Sequence, residues 1–345
     1  FGRRIPSVEG GYADQPYVVV NSDGSWTCTL TTGFGHEGDS GQHIAATRST
    51  DQGRTWSPLV PIEPPEGPEA SWAQPFRVPD TGRIYVFFTY NKHNRREVEA
   101  NHGQVFTRVD SLGVYAYRYS DDMGQTWSAE RYEIPVRAFE CDRSNPYGGE
   151  VRFFWGVGKP ILAGGEVLVP FSKVGAMGRG FFAQNEGALV CSPNLLTEHD
   201  PTKHIWHTLP DGDVGVRTPE GGGPVAGELY VAPMAEPDSL FATYRTIDGY
   251  ACQAYSRDRG RTWTQDWMRY QPGGRKIKNP RSANFAWRCS NGHYLYWFNH
   301  HGGEPLARHA RRDPGLGYAH RNPTWMCGGV EKDGVIHWSQ PEIIL

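Results

Sequence analysis

STDQGRTW (49–56), SDDMGQTW (120–127) and SRDRGRTW (256–263) are three copies of one pattern, Ser-x-Asp-x-Gly-x-Thr-Trp. Such a match does not recur three times in one chain by chance. Each copy reads as a tight turn. The Asp carboxylate can accept backbone N–H groups, the Gly can take positive φ, and the Trp can bury its ring between sheets. Two weaker copies fill the gaps: Ser192-Pro193-Asn194 followed by Trp206, and Asp333-Gly334 followed by Trp338. Alternating or apolar segments flank each copy, as in Val114-Tyr115-Ala116-Tyr117-Arg118-Tyr119 before the second. Hairpin signals lie upstream in each unit, for example Asn21-Ser22-Asp23-Gly24, Asp80-Thr81-Gly82 and Ser290-Asn291-Gly292. Each unit therefore predicts a four-stranded antiparallel sheet, and a series of such sheets predicts an all-β propeller.

Composition agrees. The 345 residues include 42 Gly and 26 Pro, too many for a helical bundle, and an aromatic share of 13%, too high for a disordered chain. The 35 basic and 38 acidic side chains give no positive field to attract nucleic acid or an anionic membrane surface. No apolar run approaches the length of a membrane span, so no membrane insertion is expected. The six cysteines show no Cys-x-x-Cys spacing and read as buried free thiols.

The turn pattern resembles the Asp-box of the sialidase-type (BNR) propellers, and the resemblance covers essentially the whole chain. It implies six or seven blades. Five units are visible, so residues 1–345 are expected to form a single propeller domain truncated at one or both ends. The sequence begins Phe-Gly-Arg-Arg, and no signal peptide is expected within these residues. Asp51, Asp122 and Asp258 are expected to be turn formers, not catalysts. Arg4-Ile5-Pro6 is similar to a sialidase motif. A sialidase would further need an arginine clamp, a Tyr–Glu nucleophile pair and an Asp acid.

Other segments resemble a different branch, the propellers that act on rhamnose–glucuronic acid linkages: ulvan lyases, rhamnose–glucuronate lyases and a related α-L-rhamnosidase family. These are residues 11–17, 40–43, 68–72, 82–85 with 89–91, and 154–156. Those lyases use a Tyr and an Arg sixteen residues apart, flanking an Asp-box, with upstream histidines. Tyr115 and Arg131 have that separation, and His43 is the matching histidine. No histidine precedes His36, so Gln15 or His36 would take the remaining place. The resemblance implies β-elimination on an anionic, uronate-containing polysaccharide. Arg131 would neutralise the uronate carboxylate, Tyr115 would act as acid or base, and His43 would be the base or a second carboxylate partner. Arg143, Trp155 and Lys159 are further candidates for sugar binding, with the indole stacking on a sugar ring. An exo-glycosidase (rhamnosidase or sialidase-like) and a non-catalytic glycan binder stay open as alternatives. No cofactor is required. Some of these lyases hold a structural zinc, for which Cys141, Cys191 and His204 are the candidate ligands. Attack on polysaccharide implies a secreted or periplasmic location.

Overall fold

The computed structural model describes residues 11–100, 103–178, 181–300 and 321–344. Five antiparallel blades follow one another along the described chain. Blade 1 holds strands Tyr12–Val20, Trp26–Gly33, His43–Ser49 and Val60–Pro61. Blade 2 holds Ala70–Arg77, Ile84–Tyr90, Leu112–Ser120 and Tyr132–Glu133. Blade 3 is built on Glu166–Gly178, Phe181–Ser192 and His207–Leu209, with Ile161–Ala163 as a short inner strand. Strand Arg152–Trp155 pairs with both blade 2 and blade 3 and fuses them into one sheet. Blade 4 holds Gly227–Pro233, Leu240–Arg245, Cys252–Ser256 and Thr264–Trp267. Blade 5 holds Phe285–Arg288, Tyr294–Asn299, Thr324–Lys332 and Val335–Trp338. The core lies between blades. Alternate residues of each sheet face its two neighbours, so the strands are apolar on both sides, as in Ile84–Tyr90.

The repeated turns have the geometry their residues predict. Ser49 Oγ donates to Asp51 Oδ1 at 2.8 Å, Gly53 N donates to Ser49 Oγ at 2.8 Å, and Thr55 donates through N and Oγ1 to Asp51 at 2.8 and 2.6 Å. Residues 120–126 and 256–262 repeat these bonds. Gly53, Gly124 and Gly260 sit at φ 82°, 84° and 86°, where a side chain would be strained. The bonds from Thr55 hold the Asp51 carboxyl at about 2. In blade 3, Asn194 stands in for the aspartate: Ser192 Oγ donates to its Oδ1 at 3.3 Å and Ile205 N at 2.9 Å. All these carboxylates are used up in turns, which is why none of them is free for chemistry.

A second repeat is invisible in the sequence. The innermost strands of blades 1, 2 and 4 each carry a bulge, between Asp14 and Tyr17, Ser71 and Gln74, and Gly227 and Tyr230. Each bulge places a non-glycine residue in the left-handed region: Gln15 (φ 52°), Trp72 (φ 69°) and Glu228 (φ 58°). Such a conformation costs on the order of 1–3 kcal/mol and persists only where surrounding contacts impose it. All three lie at the loop end of the propeller axis, opposite the Asp-boxes. No helix among the described residues is long and apolar enough to cross a membrane.

Candidate active site

The structure does not bring His43, Tyr115 and Arg131 together. Tyr115 is fully buried, packed between blades 2 and 3 with ring centroids 4.9 Å from Phe171 and 5.9 Å from Phe154, and its hydroxyl donates to Gln74 Oε1. Burial pushes its phenol well above the usual tyrosine range. Arg131 leaves the other face of the sheet. Its Nη2 lies 2.6 Å and its Nε 2.9 Å from the buried Glu63 carboxylate, and the guanidinium covers the Tyr90 ring at 3.4 Å. The cause is register. Tyr132 pairs with Tyr117, and directly opposed residues share a face, so Tyr132 lies on the side of Tyr115 and Tyr117. Arg131 is one residue out of step and joins Arg118, which also binds Glu63 at 2.6 Å. The sheet separates the two expected catalysts. His43 begins the third strand of blade 1, half-buried, opposite Thr32. Desolvation lowers its pKa below the ordinary histidine value.

The remaining candidates divide. His36 sits in an exposed loop whose backbone is tied to Asp39. Arg143 pairs with Asp213 on the surface. Trp155 is 2% exposed and cannot stack on a sugar in this arrangement; it packs on Trp72 at 4.1 Å and Phe182 at 4.9 Å. The zinc candidates belong to separate places. Cys141 packs against Gly175, Cys191 Sγ lies 3.6 Å from Glu166, and His204 Nδ1 lies 2.7 Å from the Tyr117 hydroxyl. Among the described residues no group of three or more His, Cys, Asp or Glu side chains is placed to hold a metal ion. Arg4 lies outside the described residues.

Gln15 and Lys159, by contrast, share a cleft. It has a volume of about 640 Å³ along the axis and is walled by the inner strands of blades 1, 3, 4 and 5. The cleft runs from Asp14–Tyr17 at its head, where the blade 1 strand enters, to Trp287 and Arg288, the last residues of the inner strand of blade 5. Three groups that sequence reasoning did not single out gather at the head. Asp14 accepts bonds from Tyr12 Oη and Gln15 N, both at 2.7 Å, yet desolvation raises its pKa overall. Tyr17 Oη donates to Gln15 Oε1 at 3.2 Å and accepts from Gly158 N at 3.1 Å; burial pushes its phenol up to about 12. Glu228, whose charge also acts on Tyr17 and Tyr230, stands behind them.

Glu228 is held with care. Its Oε1 lies 2.9 Å from Arg245 Nη1 and 3.3 Å from Trp155 Nε1, while Oε2 is buried without a hydrogen-bond partner. Carboxylate and guanidinium are each 5% exposed. A buried ion pair is weak evidence for stability, because desolvation offsets its Coulombic gain. This one also sits on a strained backbone, and strain of that kind concentrates at functional sites. A further cation approaches the same indole: Arg108 lies 4.9 Å over Trp155. A bulge that turns one acidic residue inward has no sequence signature; the only available signal was Gly227-Glu228 at the entry to an apolar strand.

With this geometry in view, comparison with known proteins places the chain. Residues 71–344 match the family described as BNR repeat-like domain. The chain belongs to that family. No curated protein matches it. Among solved structures, it resembles the NanB sialidase from Streptococcus pneumoniae at 11% identity and TM-score 0.60, covering 96% of this chain and 61% of that one. It resembles a leech intramolecular trans-sialidase at 14% identity and TM-score 0.62, covering 99% and 63%. A Dyadobacter fermentans protein of unknown function matches at 15% identity and TM-score 0.60, covering 97% and 95%. The chain spans about three fifths of the length of the first sialidases it matches. At these identities the likeness establishes a shared propeller fold.

Proposed function

We propose that this BNR-repeat chain is a glycoside hydrolase acting on an anionic glycan at the head of the axial cleft. The observation that carries this is that Asp14 and Tyr17 line one end of the cleft, with the buried Glu228–Arg245 pair behind the cleft wall and its charge acting on Tyr17. The sialidases and trans-sialidase among its structural neighbours support glycan processing in general. The separation of Tyr115, Arg131 and His43 removes the triad on which β-elimination was expected to depend.

The chemistry follows from the environments. A phenol at about 12 is not ionised near neutrality, so Tyr17 can attack an anomeric carbon only if its proton leaves during the attack. Glu228 Oε2 has no hydrogen-bond partner and is the acceptor, while Arg245 Nη1 holds Oε1 at 2.9 Å. As the carbon–tyrosine bond forms, the glycosidic C–O bond breaks, and Asp14 protonates the departing oxygen. Burial suits Asp14 to this by favouring its protonated form. Water then attacks the same carbon, Asp14 takes its proton, and Glu228 returns a proton to Tyr17. The route needs no cofactor and retains configuration. Action on such a substrate fits the secreted or periplasmic location expected from the sequence.

The test is product analysis on a sialoside and on rhamnose–glucuronate oligosaccharides, side by side. A new reducing sugar without near-ultraviolet absorption is expected, with Asp14→Asn and Tyr17→Phe slower by roughly 10²-fold or more. An absorbing unsaturated product, or full turnover by Tyr17→Phe, would overturn the reading.

A further inference from the structure

The foot of the axial cleft is chemically unlike its head. Trp287 is 48% exposed there, a large fraction for an indole on an inner propeller strand. Its neighbours in the strand are accounted for. Ala286 is buried in the core between blades 4 and 5, and Phe285 stacks on Trp297 at 5.1 Å and packs near Tyr230 at 5.4 Å. Strand alternation puts Trp287 on the same side as Phe285, facing the cleft. The Lys159 ammonium lies 4.7 Å over its ring and is anchored to the Val18 carbonyl at 3.3 Å. Arg288 ends the strand, and alternation puts its side chain on the face of Ala286 and the opposed Tyr294, away from the Trp287 indole.

We propose that the foot of the cleft is a second sugar subsite, selective for an acidic residue such as a uronate, with Trp287 as the platform and Lys159 as the anion-binding group. An indole face stacks on the C–H face of a pyranose, since both are apolar plates with polar rims. A cation held over the plate would reward a carboxylate on the sugar. Lys159 is already desolvated, so it has little hydration left to lose when an anion arrives. The void of about 640 Å³ accommodates a disaccharide-sized ligand reaching from this platform toward Tyr17. The inference deepens the hydrolase reading by naming the class of the neighbouring sugar. Binding at the foot, however, can be measured without any turnover.

The experiment is calorimetric titration of the full chain with methyl glucuronide and with methyl glucoside, which differ in the acid group. In the wild-type protein the glucuronide should bind at least tenfold more tightly. Trp287→Ala should weaken it at least tenfold, and Trp287→Phe should restore part of the loss. Lys159→Met should erase the preference while leaving glucoside binding unchanged. Because Trp287 is half-exposed, its replacement leaves the blade core intact, and unchanged thermal unfolding verifies that. Equal binding of the two glycosides in the wild type, or wild-type affinity in Trp287→Ala, would overturn the proposal. Repeating the titration in Asp14→Asn separates the two ideas: retained glucuronide binding with no turnover of any glycan in the wild type would sink the hydrolase reading and leave the subsite standing.

Discussion

Removing Glu63 should destabilise the propeller far more than removing either arginine it holds. Its carboxylate is 1% exposed at the seam of blades 1 and 2, where Arg118 and Arg131 bind it from blade 2. In Glu63→Ala two guanidiniums lose their common anion inside the seam. Arg118 retains carbonyl bonds to Ser128 and Ala129, and Arg131 retains the Tyr90 ring. Breaking a buried pair from the side of the shared partner costs about 3–5 kcal/mol. In Arg131→Ala the carboxylate keeps Arg118 at 2.6 Å, so no charge is stranded. The loss is then that of charge-assisted bonds to a side chain still 23% exposed, about 1–2 kcal/mol. At roughly 2 °C per kcal/mol for a long chain, the melting temperature should fall about 6–10 °C in Glu63→Ala and about 2–4 °C in Arg131→Ala. Differential scanning calorimetry of both variants and of the double variant measures this. The double variant should be less damaged than the sum of the singles, since it strands one guanidinium fewer. Equal small shifts in both single variants would refute the shared-anion argument. Loss of turnover in Arg131→Ala at an unchanged melting temperature would refute it too, and would return Arg131 to the catalytic machinery.

Three other outcomes follow from the same geometry. Tyr115→Phe should leave glycan turnover intact and lower stability by about 1–3 kcal/mol in urea titration, because Gln74 Oε1 loses its buried donor. The Asp51 carboxyl, held at about 2 in the fold, contributes stability that is present above its unfolded value near ~4 and lost as pH falls toward 2. The melting-temperature gap between wild type and Asp51→Asn should therefore close across that window, and a gap constant from pH 6 to 2 would contradict it. His43, lowered by burial, favours the fold most when neutral; its contribution is complete above ~6.5 and lost as pH falls through its lower folded value. A proton NMR titration of its C2–H should show a midpoint below ~6.5.

The propeller was legible because its repeated unit is local. Ser49, Asp51, Gly53 and Thr55 make their bonds within seven residues, so the turn can be read without knowing anything of the sheets. Even the degenerate copy at Asn194 keeps its polar anchor and could be counted. The active-site triad failed for the opposite reason. Tyr115 and Arg131 stand on adjacent strands, and which face each occupies depends on a two-residue strand pairing Tyr132 with Tyr117. A separation of sixteen carries no information about that register; shifting it by one residue would have put both groups on one side.

The site at the cleft head shows a further limit. Asp14, Tyr17 and Glu228 come from blades 1 and 4 and meet only because the ring brings two inner strands across its axis. The device that aims them is the same in both blades: a bulge with Gln15 or Glu228 at positive φ. In blade 2 the equivalent residue is Trp72, whose indole Nε1 donates to the Asp110 carbonyl at 2.8 Å and packs on Trp155, the residue bonded to Glu228. One backbone feature thus serves three ends: in blade 1 it turns an amide toward the cleft, in blade 2 it builds the aromatic floor, and in blade 4 it delivers the carboxylate. The strain is tolerated three times because each bulge lies where strands converge on the axis and where regular pleating would point the next side chain back into the blade. A glycine at position 228 would relax the backbone and remove the carboxylate together. Glu228→Gln keeps both shape and backbone, and is the substitution that isolates the charge.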